Sequence, residues 1–445
     1  MLRRKFLWTM RRARVRHPAA INMPVRRVRP GTQNGARIGA SIPSDINGTF
    51  RGESMTSLVI CLDGTWNNAD SAEHQTNIGL LASMIDPKPR LGVPAHIYYD
   101  AGVGTSGSHT HRLAGGLLGT GLSTNILEAY RFLSLNYRPG DDVYIFGYSR
   151  GAYTARSLCG FLAASGLLRA DMCDARNQEF AWTYYRTRPK KRFPADKEHL
   201  RRLTHPDVRV RFLGVFDTVG SLGIPRTWLN WIGRRCFQFH DTDICGIVDH
   251  ACHALAIDEH RMEFEAAVWR QPQHRGYVTV EQVWFPGVHA NIGGGYECRG
   301  LSDLTLDWMI KRLRRYCPEV VVSTAGLKPD HHGVLYEPRT WLYWRSIWRP
   351  LMRLINRCAL KSCRGVRLAD VPPHSKPIGE MLHWSALARL METRKAGAGK
   401  RYAPANLRAA LDSVRAGTTP VVGVDGEPGP LLPPSMRPTE EMRLH

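Results

Sequence analysis

The segment that most restricts the fold is Asp142-Val143-Tyr144-Ile145-Phe146-Gly147-Tyr148-Ser149-Arg150-Gly151, continued by Ala152-Tyr153-Thr154-Ala155-Arg156-Ser157-Leu158. An apolar β-branched and aromatic run passes without a spacer into G-x-S-x-G and then into a helix-period run. Glycines two before and two after the serine let strand and helix approach at a sharp turn with strained backbone angles. Such a turn holds Ser149 Oγ clear of the sheet at the positive end of a helix, with the Arg150 N–H aimed at an oxyanion hole. The alternative is a tight strand–helix turn whose serine only caps the helix.

The surroundings suit the first reading. Ser57–Leu62, Ala95–Tyr99, Val208–Phe216 and Tyr277–Phe285 repeat the buried-strand pattern, and helix-period segments fall near Asn77–Ile85, Ser123–Asn136, Ala152–Leu167 and Ile247–Ala256. Strands alternating with helices predict an α/β domain with a mainly parallel sheet, whose chemistry gathers beyond the carboxyl ends of the strands. No internal repeat is evident. Residues 169–207 are hydrophilic and basic and read as a lid or a solvated insertion. Residues 321–416 are poor in strand pattern and rich in Trp, Arg and Pro, which marks a cap or C-terminal subdomain. From 417 to 445 the chain is a Pro-rich tail, leaving 55–320 as the catalytic domain.

Composition narrows the classes further. At 445 residues, 43% hydrophobic and 9% aromatic, the chain is neither disordered nor fibrous. Its net charge of +22 is unevenly spread: residues 1–54 hold twelve Lys and Arg against Asp45 and Glu53. That segment reads as a disordered basic arm. Arg3-Arg4-Lys5-Phe6-Leu7 begins like a twin-arginine export signal, but Met10-Arg11-Arg12-Ala13-Arg14 stands where an apolar region should follow. Met55 directly precedes the first strand pattern, which allows the arm to be upstream sequence outside the native protein. No signal peptide and no run approaching the ~18 apolar residues of a membrane span are evident. Ten cysteines without paired C-x-x-C spacing fit reduced, mostly buried thiols, and so a reducing compartment.

A serine hydroxyl needs a base to take its proton and an acid to orient that base, in the chain order Ser, Asp or Glu, His on this architecture. Asp217 ends the run Val208–Phe216, and His289 follows Val283-Trp284-Phe285-Pro286-Gly287-Val288 ahead of a glycine-rich loop. Asp63 and Asp100 also end strands but precede Ser149. His250, His253 and His260 read as helical residues on a surface or in a core, and His331-His332 as a polar loop pair with no evident carboxylate arrangement. The loop Asp63-Gly64-Thr65-Trp66 offers a second oxyanion donor at Gly64 or Thr65, with Asp63 fastening the loop; the competing reading is an Asx turn above a packed Trp66. Tyr99–Thr105 contains G-x-G without a third glycine and shapes the rim of the cleft more plausibly than it binds a dinucleotide. The chemistry calls for no metal and no organic cofactor.

Several blocks together resemble the uncharacterised α/β-hydrolase domain family that includes the type VI secretion phospholipase effectors. They are L-D-G-T-W-N at 62–67, Y-Y-D-A-G-V-G-T at 98–105, G-Y-S-R-G-A-Y-T-A-R at 147–156, G-V-F-D-T-V-G-S-L-G at 214–223, A-L-A-I-D-E-H-R at 254–261, W-F-P-G-V-H-A-N-I-G-G-G-Y at 284–296 and L-S-D-L-T-L-D-W-M at 301–309. The resemblance implies an α/β-hydrolase-like three-layer αβα sandwich, a Ser149–Asp217–His289 triad and esterase or phospholipase chemistry. The arm before Met55 departs from the family pattern, and residues beyond 320 match it loosely.

The stretch Arg339–Lys361 bears on the substrate. Trp344, Trp348 and neighbouring Leu and Ile run beside Arg345, Arg349 and Arg353, with Pro350 dividing two short helices. One reading is an interfacial element whose Trp344, Arg345, Trp348, Arg349 and Arg353 contact anionic lipid. The other is a cap whose Trp face packs on the core and whose Arg face is solvated. The basic arm lacks any nucleic-acid-reading module, so nucleic acid is not the expected partner. The expectation is a serine hydrolase of acyl esters, foremost phospholipids. The rivals are a cytosolic esterase on soluble esters and a catalytically degenerate fold used for binding. The protein is expected in the cytoplasm of the producing cell, at a membrane periphery, or delivered by a secretion system.

Overall fold

A computed structural model of the chain describes residues 55–64, 75–89, 93–102, 116–219, 244–270, 278–337, 350–356, 367–368, 378–392, 395–396 and 400–429. Among them, nine strands form one sheet: β1 (Ser57–Leu62), β2 (Ala95–Asp100), β3 (Asp142–Tyr148), β4 (Val210–Phe216), β5 (Val248–Ala256), β6 (Thr279–Phe285), β7 (Glu380–His383), β8 (Val421–Val422) and β9 (Pro428–Gly429). Their spatial order is β9-β8-β7-β6-β5-β4-β3-β1-β2. Every neighbouring pair is parallel except β8 with β9. The strand order reverses between β1 and β3, and the carboxyl ends of those strands open the crevice where such sheets bind ligands.

Helices cover both faces, and the strands divide their side chains between them. Leu58, Ile60 and Leu62 of β1 pack with α2 (Gly116–Asn136) and α3 (Arg150–Ser165), while Val59 and Cys61 pack with α1 (Asn77–Met84) and with α7 (Gly300–Tyr316), which follows the short α6 (His289–Gly293). Both faces of β1 are therefore buried, which is why its sequence reads as a continuous apolar run. In β4, Val210 and Phe212 serve opposite cores although they lie two apart. A register shift against β3 between Val143 and Tyr144, at the level of Arg211, accounts for the change of phase. The result is the three-layer αβα sandwich with a mainly parallel sheet that the sequence predicts.

Two elements differ from expectation. Ile247–Ala256 reads as helical, yet Val248–Ala256 is the central strand β5, carrying His250 and His253, while His260 lies in the following loop. Ala251, Cys252, Ala254, Leu255 and Ala256 are all buried, so no period of two survives, and the alanines imitate a helix. The C-terminal third also supplies β7, β8 and β9 to the sheet edge, including residues read as tail. Segments of two to four residues are too short to leave a strand pattern.

Residues 169–207 hold α4 (Ala175–Arg186) and α5 (Pro194–Leu203). Trp182 and Tyr185 pack on Phe161, each ring centroid 5.3 Å from it, and Lys197 Nζ donates to Ala164 O at 2.7 Å. Phe161 is twelve residues along α3 from Ser149, roughly 18 Å at the helical rise. The pair therefore props the far end of α3 and does not cover Ser149. Lys190 and Lys191 are exposed, as a solvated face requires. The basic arm, residues 1–54, lies outside the described residues, and no helix among the described residues is long and apolar enough to cross a membrane.

Candidate active site

Ser149 joins β3 to α3 with φ 57° and ψ −117°, a conformation that costs a non-glycine residue of order 1–3 kcal/mol. It persists because both sides of the turn are fixed. Ser149 N donates to Phe216 O at 3.1 Å, and Tyr153 N to Ser149 O at 3.2 Å. The flanking glycines are sterically required. A Cβ on Gly147 would sit 2.5 Å from Gly151 O, and one on Gly151 would sit 2.1 Å from Leu62 O.

His289 opens α6 (His289–Gly293), just past β6, and Asp217 follows β4 with φ 39°. The three side chains meet across the strand ends: His289 Nε2 lies 2.8 Å from Ser149 Oγ, and His289 Nδ1 lies 2.6 Å from Asp217 Oδ2. Asp217 is fully buried and His289 nearly so. Burial alone would raise the Asp217 carboxyl, but the Arg353 guanidinium and then His289 reverse this and hold it well below the usual carboxylate range. Burial lowers the pKa of His289, and its hydrogen bond to Asp217 only partly offsets that. At neutral pH the imidazole is thus a neutral base beside an ionised carboxylate.

Arg353 corrects an expectation. One reading of the sequence puts it on a membrane-facing surface with Trp344, Arg345, Trp348 and Arg349, the other on the solvated Arg face of a cap. It is instead 1% exposed, with Nη1 donating to Asp217 Oδ1 at 2.6 Å and Nη2 to Asp217 Oδ2 at 3.1 Å. Nη1 also donates to Ala256 O at 3.0 Å and Nη2 to Phe264 O at 2.5 Å. Ala256 N adds a second donor to Asp217 Oδ1 at 3.0 Å. Ion pairing is what tolerates an arginine at this depth. Trp344, Arg345, Trp348, Arg349 and Thr65 lie outside the described residues.

Gly64 reaches the site but does not aim at it. A Cβ there would lie 3.4 Å from Ser149 Cβ, yet the Gly64 N–H donates to Asp63 Oδ1 at 2.6 Å. The expected oxyanion donor is therefore turned back to its own neighbour. Asp63 does fasten this loop: Thr76 Oγ1 and Tyr99 Oη donate to its Oδ2 at 2.5 and 2.8 Å, and Thr76 also caps α1 through Gly79 N. Gly102, φ 81°, packs on the carbonyls of Asp63 and Gly64, so the Tyr99–Gly102 segment borders this crevice. Arg150, half-buried, begins α3 next to Ser149.

Sequence reasoning gave no role to three residues that hold the site, Asp258, Glu259 and His253. Asp258 Oδ2 accepts from Gly287 N at 2.7 Å and from Tyr402 Oη at 3.0 Å, which pins the turn before His289. Glu259 Oε2 accepts from His289 N at 3.1 Å and from Arg261 Nη2 at 2.9 Å. His253 Nε2 accepts from Thr218 N at 3.0 Å, and burial, then the charge of Arg156, pushes its pKa down to about 3, so it stays a neutral acceptor beside Asp217. The signal available was position alone: Asp258 and Glu259 come just past the end of a strand, as catalytic acids do.

Residues 56–312, more than half of the chain, match the family described as the type VI secretion phospholipase effector Tle1-like catalytic domain. An uncharacterized protein of Saccharomyces cerevisiae is 29% identical over a 245-residue alignment that covers 49% of this chain and 33% of that protein. A crystal structure of an uncharacterized protein from Pseudomonas aeruginosa is similar at 17% identity and a TM-score of 0.35, covering 62% of this chain and 47% of that one. The Tle1 effector bound to the VgrG spike of the type 6 secretion system is similar at 21% identity and a TM-score of 0.31, covering 55% and 52%. The chain thus spans about a third to a half of the length of these relatives.

Proposed function

The chain belongs to the type VI secretion phospholipase effector Tle1-like catalytic-domain family, and on that footing we propose that it is a serine hydrolase cleaving acyl esters of phospholipids. The observation that carries this reading is the unbroken hydrogen-bonded line from Ser149 Oγ through His289 to the buried Asp217. Ser149 Oγ attacks the acyl carbonyl while His289 Nε2 takes its proton. Asp217 fixes the Nδ1–H tautomer and stabilises the imidazolium that forms. The carbonyl oxygen becomes an oxyanion that accepts from the Arg150 N–H and, since Gly64 donates to Asp63, from Thr65 as second donor. His289 returns the proton to the leaving alcohol as the C–O bond breaks, leaving an acyl group on Ser149. Water, deprotonated by His289, then releases the fatty acid and restores the serine.

Tyr148 and Phe264 bracket the imidazole, with ring centroids 4.9 and 4.8 Å from it, and supply an apolar wall suited to an acyl substrate. Anionic membrane contact through Trp344, Arg345, Trp348 and Arg349, and delivery by a secretion system as the family's name describes, belong to the same reading.

The test is release of fatty acid from defined phospholipid vesicles and from a short soluble acyl ester. Ser149→Ala and His289→Ala are each expected to lower kcat on both by ~10⁶-fold. Equal turnover in the wild type and both variants would refute the mechanism. Turnover of the soluble ester with none on vesicles would instead favour a soluble-ester esterase.

A further inference from the structure

The adjacent histidines His331 and His332 find in the fold a carboxylate that their sequence neighbourhood lacks. Glu392 immediately follows α8 (Trp384–Met391) and points at both rings: His331 Nε2 is 3.1 Å from Glu392 Oε1 and His332 Nδ1 is 2.9 Å from Oε2. The imidazole centroids are 4.0 Å apart, and one donor atom from each residue lies within 4.8 Å of the others. Glu392 Oε2 is shielded from solvent yet has no hydrogen-bond partner among the described residues, so the approach of His332 is close without being an aligned hydrogen bond.

Neither ligand-bearing segment depends on the ligand atoms for its position. Arg389, one turn before Glu392 and 5% exposed, donates through Nη1 to His331 O at 2.5 Å and to Gly333 O at 2.9 Å. The His331 ring also lies against Trp384, centroids 5.1 Å apart. The three groups are thus held together by residues that are not themselves ligands.

We propose that His331 Nε2, His332 Nδ1 and the Glu392 carboxylate bind one divalent transition-metal ion of the zinc class, with water at the remaining position. Two imidazoles and one carboxylate are a zinc donor set, whereas calcium and magnesium demand mostly oxygen. Ligand bonds of about 2.1 Å at tetrahedral angles separate neighbouring donor atoms by about 3.4 Å, so the two imidazole–carboxylate spacings of 3.1 and 2.9 Å need only small adjustments, and the remaining spacing lies within 4.8 Å. The ion would staple the loop after α7 to the end of α8. The same loop supports α6, because Asn291 Nδ2 donates to Val334 O at 3.1 Å. This tie between the two segments is independent of the hydrolytic reading.

The experiment uses the full chain, stripped with a chelator and titrated with Co²⁺ and then Zn²⁺. The expected result is one equivalent of cobalt with the d–d absorption of a four-coordinate N/O site, displaced by one zinc. Glu392→Gln and His332→Asn, both checked for native circular dichroism, should bind at least about 100-fold more weakly, since losing even an outer-shell partner costs up to that much. Zinc should raise the thermal midpoint of the wild type by about 3 °C at a hundredfold excess over its dissociation constant, and leave Glu392→Gln unmoved. Folded wild type that retains no metal would overturn the proposal and leave one histidine–carboxylate hydrogen bond, from His331, beside the close approach of His332. Stoichiometric metal that both variants retain would overturn it equally, by locating the ion elsewhere.

Discussion

At the scale of single residues, a guanidinium seated on both oxygens of Asp217 sets two demands against each other. It keeps the carboxylate ionised, and it competes with His289 for the same charge. The base must be neutral to accept the Ser149 proton, and burial lowers its pKa. The acid limb of kcat/KM is therefore expected below the ordinary imidazole value of 6.5, with activity rising as pH increases through that limb. Arg353→Met returns the full charge of Asp217 to His289, favours the imidazolium, and should move the limb upward by about one unit, while Arg353→Lys holds it near its original position. Breaking the buried pair should also cost about 3–5 kcal/mol of stability. A pH–rate profile separates the two effects, because lost stability alone does not move the limb. Ser149, Asp217 and His289 were legible because each directly follows an apolar run, in the order the chemistry requires. Arg353 was not: its partner is 136 residues away, and its local company of Arg and Trp describes a surface.

Elements decide whether those residues meet. The turn at Ser149 leaves no room for a methyl group at Gly151, where a Cβ would lie 2.1 Å from Leu62 O. Gly151→Ala must push α3 away from β1, at a cost of ~1–3 kcal/mol or more by the measure of overpacked cores. Its denaturation midpoint should fall and its ester hydrolysis with it, whereas Ala164→Gly, at the distant end of α3, should spare hydrolysis. The C-terminal strands are the second case. β7 covers the edge of β6, Trp284 Nε1 donates to Glu380 Oε2 at 2.8 Å, and Tyr402 reaches Asp258 behind the His289 turn. A chain ended at residue 320 is expected to lose cooperative unfolding and all ester turnover; full turnover by that fragment would contradict the account. Long buried strands could be read from sequence because their apolar runs have definite ends. The sheet's edge could not, since pairing that relies on two residues and a neighbour's hydrogen bonds leaves no local pattern.

For the whole molecule, the net charge of +22 divides into parts with different consequences. Buried pairs add nothing to it: Arg353 cancels Asp217, and Arg312 cancels Glu281 at 2.5 Å. On the proposed reading, a membrane meets the excess cations of the sequence in the basic arm and around Arg345 and Arg349. Replacing both of the latter by Gln should weaken partition onto anionic vesicles by about 30-fold, at roughly 1 kcal/mol per arginine, and leave soluble-ester turnover unchanged. Co-sedimentation and ester hydrolysis read the two separately. The central claim, that Ser149 is a nucleophile activated by His289, is tested most directly by a fluorophosphonate probe followed by mass spectrometry of the Ser149 peptide. The account predicts one covalent adduct per chain, on Ser149, absent from Ser149→Ala and strongly slowed in His289→Ala. Folded wild-type protein with Ser149 unlabelled, or labelled equally fast without His289, would contradict it.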